Sequence, residues 1–530
     1  MRTLFIVWAW AATASAQFFP IAGVVTDANS GSAMKRVHVV LAPENGRTLA
    51  LVTGEDGRFR FDVPKGKYRL TAEYRAMRQT FGMRGPGIGF GVAIFTGPDQ
   101  DTSNLVFRWF PPGAISGKII DDRGEAAQGV LVQLIREFVN IGRKTFRSAG
   151  YAYTNDLGEY RFSLLAGGTF YLVVTGEPWY TQRTQRAPAV LDGVPQLQPE
   201  VPNEPAPAYA PAYYANALDI NGASPLVLAA GAEVKADFTL RTLNGVNVHV
   251  RAPGIKPGSS TARLSLLADG IEGVQGFQRQ TYLIGEAQTI FGVPPGRYTV
   301  QVIGAGPNAL VARKTIDVGA SDVNVELQLQ PPPSITGKIM FAGARPRGSL
   351  YARLVSDKTG STYSQPVNAT GSFSYTNAPV GKYRPILVGN DGLFISQIGA
   401  EGAPLEDGLL EITDGASIQL NIVASNDVGR VKGFVKNGGG PVAGVLVVLS
   451  PKQESKNPYD YRGYQTDSDG SFDYQNIPAG DYILFAVDRF DLEYTNPEVV
   501  RPYLSLATSV HVTAHAVANE QISVVALPGQ

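Results

Sequence analysis

Cysteine is absent from all 530 residues. Disulfides, thiolate metal sites and a lipid-modified anchor cysteine are thereby excluded, so any exported form must be held together by its apolar cores. Histidine is almost as scarce, with His38, His249, His511 and His515 the only four. An excess of one charge is also missing: Lys+Arg and Asp+Glu both number 46, so no basic field exists to attract nucleic acid or anionic lipid. Charged residues make up only 17% of the chain, below the usual quarter. Beyond the N-terminus no long apolar run occurs, and no transmembrane segment is expected once the leader is removed.

What is abundant is glycine (59) and proline (36), against an apolar content of 44%. That mixture suits many short strands joined by tight turns, and the length suits several domains. The N-terminus has the pattern of a secretory signal peptide over residues 1–16. Arg2 is the basic end, Leu4 to Ala12 the short apolar stretch, and Ala14-Ser15-Ala16 the small-residue cleavage site. The expected location is therefore exported: periplasmic, outer-surface or extracellular.

Internal repetition dominates the rest. Pro-x-Gly-x-Tyr occurs at Pro64 to Tyr68, Pro294 to Tyr298, Pro379 to Tyr383 and Pro478 to Tyr482, with a weakened copy at Ala166 to Phe170. The aromatic positions are spaced by 102, 128, 85 and 99 residues, a period of whole sandwich domains rather than of a solenoid. After each motif, alternate residues are apolar, as in Tyr68, Leu70, Ala72 and Tyr74, which predicts a strand with one buried face. Asp56-Gly57 and Asp469-Gly470 precede Phe-rich strands and predict β-hairpins. Opening strands repeat around Gly23, Gly117, Gly337 and Gly433. The expected architecture is all-β, about five tandem immunoglobulin-like or prealbumin-like β-sandwiches: 18–111, 112–241, 242–331, 332–426 and 427–530. The second carries a Pro-rich loop over 187–214, and the third is degenerate.

The pattern Gly-x-Val/Ile, Asp-Gly-x-Phe-x-Phe, Pro-x-Gly-x-Tyr resembles the carboxypeptidase regulatory-like domain. Gly23, Asp56, Gly57, Phe59, Phe61, Pro64, Gly66 and Tyr68 carry it in the first unit, and Gly433, Asp469, Gly470, Phe472, Tyr474, Pro478, Gly480 and Tyr482 in the fifth. The resemblance implies a transthyretin-like sandwich within the carbohydrate-binding-like fold group, in a secreted bacterial repeat protein. It implies an accessory module without the peptidase. These are turn and core residues, so they speak to fold and not to activity.

Catalytic patterns are missing. His511 and His515 are four apart, but no Glu lies between them as a zinc peptidase helix requires, and their segment alternates like a strand. Gly-x-Ser-x-Gly is absent, and the Asp467 to Asp473 run lacks the glycine and glutamate spacing of a calcium loop. The alternating glycines Gly85 to Gly91 form no phosphate loop and suggest a mobile apolar loop that packs on a neighbour or a partner. No enzyme activity, cofactor or metal is expected. Trp109, between Phe107 and Phe110, reads as packing at the first domain border. The candidate ligand-binding residues are aromatics in loop-like sequence: Trp179 and Tyr180; Tyr209, Tyr213 and Tyr214; Tyr459, Tyr461 and Tyr464. Such rings can stack on sugar C–H faces. The reading is a non-enzymatic secreted binding or scaffold protein with a glycan or an envelope protein as partner. The alternatives are an accessory subunit of an envelope enzyme or transporter, and an unrecognised hydrolase.

Overall fold

The computed structural model describes residues 17–526 apart from 86–89, 179, 182–189, 192–193, 196–206, 216, 218–219, 221, 256–261, 270–276, 284, 306–308, 344–347, 359 and 390–391. Strands dominate it, and the one α-helix among the described residues is Pro497–Leu504. No helix there is long and apolar enough to cross a membrane.

One plan recurs five times. An opening strand pairs antiparallel with the Phe-rich strand and parallel with the closing strand, making the first sheet. A second, more buried strand pairs with an edge strand on one side and the Tyr strand on the other. In the first unit these are Phe18–Asp27 with Arg58–Pro64 and Leu105–Trp109, then His38–Pro43 with Leu49–Val52 and Gly66–Tyr74. In the fifth they are Val428–Asn437 with Ser471–Pro478 and Val517–Ile522, then Leu446–Pro451 with Arg462–Gln465 and Gly480–Val487. The third unit, whose turn signal is lost, keeps the plan: Val246–Arg251 pairs with Ala287–Val293 and Val323–Glu326. Five separate apolar clusters fill the spaces between the paired sheets.

The Asp-Gly turns are not hairpins, which corrects the expectation. Leu49–Val52 belongs to the second sheet and Arg58–Pro64 to the first, so Asp56-Gly57 carries the chain across the sandwich. Asp469-Gly470 does the same between Arg462–Gln465 and Ser471–Pro478. A tight turn with a positive-φ glycine serves either purpose, because it reverses the chain whether or not the two arms share hydrogen bonds. The opening glycines answer a different need. A Cβ on Gly23 would lie on the Leu105 carbonyl, and one on Gly433 on the Glu520 carbonyl, so glycine lets the closing strand approach.

The repeated tyrosine points inward. Tyr68, Tyr298, Tyr383 and Tyr482 are all under 9% exposed. The Tyr68 hydroxyl donates to the Pro64 carbonyl at 2.9 Å, Tyr298 to Pro294 at 2.8 Å and Tyr482 to Pro478 at 2.9 Å. Tyr383 reaches Val380 O at 3.5 Å. The motif is thus one device: proline and glycine set the turn, and the ring fills the core while its hydroxyl, in three of these four copies, ties down the turn's first carbonyl. The second unit has Phe170 instead. There Arg136 lies over the Phe170 ring and its Nη2 donates to the Gly167 carbonyl at 2.9 Å, holding the same turn at its next residue.

The stretch expected as a Pro-rich loop supplies short strands among its described residues. Pro207–Tyr209 pairs with Thr242–Asn244, and Ala212–Tyr213 extends the second sheet beside Val173 and Val174. In the fifth unit the strands Leu446–Pro451 and Gly480–Val487 are buried on both faces. Leu446, Val448, Phe485 and Val487 form a second cluster with Leu492, Tyr494, Val500 and Tyr503. Asn496 caps the covering helix by accepting from Glu498 N at 3.1 Å, Pro497 begins it, and Tyr503 stacks on Phe485 at 5.4 Å.

The units pack on one another both in chain order and beyond it. Arg313 and Asp414 pair between the third and fourth, and Lys456 and Asp407 between the fourth and fifth. Arg143 of the second reaches Asp357 of the fourth, and Thr495 of the fifth donates to Gly142 O of the second. The fifth unit also docks on the first. Lys67 Nζ lies 2.8 Å from Asp467 Oδ2 and 3.2 Å from the Tyr464 hydroxyl. Gln465 Oε1 accepts from Phe90 N and Gly91 N at 2.6 and 3.0 Å, and its Nε2 donates to Gly82 O at 3.0 Å. Ser468 N donates to Ala93 O and Ser468 Oγ accepts from Phe95 N. The described ends of the glycine-rich loop therefore do pack on a neighbour, and that neighbour is the chain's own last sandwich.

Candidate functional site

The second and third sandwiches leave a cleft of about 350 Å³ between them. Its floor is the outer face of the second unit's buried-strand sheet. Tyr153, Leu131 and Thr175 stand directly opposite one another on adjacent strands, and a second row runs Tyr151, Gln133, Val173, Tyr213. Residues paired in this way point to the same face. The wall is the third unit's edge strand, through Gln278, Arg279 and Gln280, and Gly176 and Glu177 continue from the floor.

Local structure explains the arrangement. Tyr151-Ala152-Tyr153 alternates, so both rings project from one side of the edge strand Arg143–Tyr153, 66% and 63% exposed, and touch edge to face at 6.4 Å. On the facing strand, Gln278, Gln280 and Tyr282 point outward while Arg279 turns toward its own core. The guanidinium lies over Phe277 at 5.0 Å and pairs with Glu177, both side chains being under 20% exposed. Burial holds the Arg279 pKa below the usual guanidinium range.

Among the described residues two buried polar atoms find no hydrogen-bond partner: Arg279 Nε, whose residue lines the cleft, and Gln133 Oε1, one row further along the same sheet as Leu131. Gln280 Nε2 makes only a long contact, 3.4 Å, to Ser265 Oγ. The cleft thus offers the exposed Tyr153 ring and the side-chain amides of Gln278 and Gln280. Among the described residues no group of three or more His, Asp or Glu side chains could hold a metal. His511 instead meets Asp481 at 2.8 Å on the surface.

The candidate aromatics separate into different environments. Trp179 lies outside the described residues. Tyr180 is 37% exposed and follows Glu177 by three positions. Tyr213 is half-buried in the second row of the floor. Tyr209 and Tyr461 are 3% and 5% exposed; their rings lie inside apolar clusters and present no face to a ligand, which corrects their reading as loop aromatics. Burial pushes the Tyr209 pKa up to about 12, and the Tyr461 hydroxyl donates to Ser455 O at 3.0 Å. Tyr214 packs edge to face on Phe238 at 5.7 Å, against the same core as Tyr209. Tyr459 is half-buried in the short turn Pro458–Asp460, near the charges of Arg384, Arg353 and Arg143. Tyr464 is consumed by the joint between the fifth and first units. Trp109 is 1% exposed in the first core rather than at a border. Sequence reasoning missed Tyr151 and Tyr153, although the Tyr-x-Tyr spacing within a strand is the signal that two rings share one face.

Residues 20–82 match the family model described as the carboxypeptidase regulatory-like domain. No curated protein sequence matches the chain. Similar solved structures include the Bacillus anthracis TIE protein, 11% identical over 78% of this chain and 75% of that one, with a TM-score of 0.17. A streptococcal ancillary pilin is 11% identical over 52% of this chain and 98% of its own, with a TM-score of 0.18. Two B repeat units of the collagen binding protein of Staphylococcus aureus are 11% identical over 77% of this chain and all of theirs, with a TM-score of 0.13. Overlaps this low carry no argument about function.

Proposed function

We propose that this chain is an exported, non-enzymatic β-sandwich scaffold that binds a neutral saccharide in the cleft between its second and third units. The observation that carries the reading is the exposed ring of Tyr153, flanked on its strand by Tyr151, facing the side-chain amides of Gln278 and Gln280 across the cleft. Sugar rings present C–H faces that stack on tyrosine and hydroxyls that need both donors and acceptors. The side-chain amides Gln278 and Gln280 offer both kinds of group, and the self-neutralised Arg279–Glu177 pair favours an uncharged ligand. Tyr180 and Tyr213 stand at the margins of the same region and are proposed to extend the binding face. Export rests on the leader pattern of residues 1–16, and N-terminal sequencing of the secreted protein should begin at Gln17.

The test is a neutral-glycan array followed by calorimetry on the best ligand. Tyr153→Ala and Gln280→Ala should each weaken binding about tenfold or more, roughly 1.4 kcal/mol. Tyr464→Phe, away from the cleft, should leave it unchanged. No binding by the intact chain, or binding indifferent to both cleft variants, would contradict the reading. A pull-down from an envelope fraction that yields a stoichiometric partner released by neither sugar nor cleft substitution would favour the accessory-subunit alternative.

A further inference from the structure

Tyr459 belongs to neither the cleft nor an apolar cluster. Its turn, Pro458–Asp460, lies where the fifth sandwich meets the fourth and the second, near the charges of Arg384, Arg353 and Arg143. Strand register explains two of these arginines. On the paired strands Tyr351–Ser356 and Gly381–Val388, Arg353 stands opposite Ile386 and Val355 opposite Arg384. Residues 353 and 355 share a face, so Arg353 and Arg384 are diagonal neighbours on it. The alternate residues Ala352, Leu354 and Tyr383 fill the fourth core, so both arginines point to the outside of their sandwich. That outside is covered at Arg384, which is only 7% exposed.

An arginine this buried is normally paired with a carboxylate. Among the described residues Arg384 makes one hydrogen bond, from Nη1 to the Asp407 carbonyl at 2.8 Å. Arg353 spends its Nε on Ser364 Oγ at 2.9 Å. No carboxylate there comes within ion-pair distance of either guanidinium, because those nearby are engaged elsewhere. Asp357 pairs with Arg143 at 3.3 Å and Asp407 with Lys456 at 2.9 Å. Asp460 accepts from Asn457 Nδ2 at 2.8 Å and from Ser455 Oγ. Around Tyr459, three guanidinium groups thus face the two carboxylates of Asp357 and Asp460, with N–H donors to spare. Burial holds the Arg384 pKa below the ordinary guanidinium range even with those two carboxylates in reach. A buried charge left without its counter-charge is costly, and an anion supplied from outside removes that cost.

We propose that this junction of the second, fourth and fifth sandwiches is an oxyanion site. A carboxylate, sulfate or phosphate group takes the spare donors of Arg384 and Arg353 beside Tyr459. The planar guanidinium fork matches two oxygens of such a group. The source is a free inorganic ion or the acidic group of a charged saccharide. The site shares no residue with the cleft and stands independently of the neutral-saccharide reading.

Calorimetry on the intact chain at constant ionic strength tests it, with sodium sulfate and sodium glucuronate as separate probes. The expected result is one-to-one binding of at least one probe. Arg384→Gln and Arg353→Gln should each weaken it about tenfold or more, the worth of a charge-assisted hydrogen bond. Tyr153→Ala should leave it unchanged. Arg353 is only half-buried, so its variant decides the matter if Arg384→Gln fails to fold. Tighter binding of sulfate assigns the site to a free ion, and tighter binding of glucuronate to an acidic sugar. Heat from neither probe, or binding indifferent to the arginine substitutions, would overturn the proposal.

Discussion

Among the described residues, the fifth sandwich meets the first through polar groups bonded across the joint, whereas the second meets the third across a cleft where Arg279 Nε has no hydrogen-bond partner. At the first joint, Lys67, Asp467, Tyr464 and Gln465 satisfy one another and the opposing backbone, and the space left is about 180 Å³. At the second, the space is about 350 Å³, one charged pair neutralises itself, and Arg279 Nε stays unmet. Both joints involve the last residue of an edge strand, Gln465 in one and Tyr153 in the other. The difference shows that the fold supplies a recess and that the side chains at its rim decide whether it becomes a closed contact or a binding site.

Breaking the closed joint should have the largest effect. Asp467→Lys sets two ammonium groups together at a site where the carboxylate side chain is only 6% exposed. Removing one partner of a buried pair costs about 3–5 kcal/mol, and Lys67 keeps 28% exposure, so a loss of about 3 kcal/mol of docking energy is expected. X-ray scattering should show a longer particle, and combining it with Lys67→Asp should restore the compact one. Gln465→Ala deletes three hydrogen bonds to backbone and should cost about 2 kcal/mol, read from the first unfolding transition.

Alkaline titration should separate the joints without mutation. Burial alone would lower the Lys67 pKa, but its hydrogen bond and charge contact with Asp467 raise it above the ordinary 10.5. Burial first, then the Asp467 charge, pushes the Tyr464 pKa up to about 12. Both groups hold their protons more tightly in the docked state. Their contribution is therefore complete below about pH 10 and is lost as pH rises toward 12. Scattering should show the fifth unit leaving the first in that window, and Gln465→Ala should open at lower pH than the native chain.

The open cleft should respond weakly to changes in its charged pair. Replacing Arg279 and Glu177 together by Met and Leu should change stability by less than about 1 kcal/mol, since a buried pair and an apolar pair of similar volume are close in energy. Calorimetry should nevertheless register lost saccharide affinity. The smallest stability change is expected for Tyr153→Ala, within about 0.5 kcal/mol because the ring is 63% exposed, although its effect on binding should be the largest of the cleft variants.

The fold was legible because its determinants are local. Pro-x-Gly-x-Tyr sets a turn and fills a core within five residues, and its period announces the sandwiches. The partner of the tyrosine hydroxyl could also have been suspected, since it lies four residues back. What was not legible depends on which strands pair. Asp-Gly reads the same in a hairpin and in a crossing between sheets, so the turns were misassigned. Tyr209 and Tyr461 lie in sequence that looks like loop but runs under a core. Tyr464 and Gln465 act through Lys67 and Phe90, some 400 and 375 residues away, a distance over which no pattern in one sequence carries information. The cleft shows the same limit, because its floor and wall come from different sandwiches.

The joint between the first and fifth sandwiches is read most directly by amide hydrogen exchange at Phe90, Gly91, Phe95 and Ser468. Those N–H groups donate across the joint, to Gln465 Oε1, Ser468 Oγ and Ala93 O. Slow exchange in the native chain that becomes fast in Asp467→Lys is the predicted result. Free exchange of these amides in the native chain, while the strands of both sandwiches stay protected, would contradict it and leave the units as a string of independent domains.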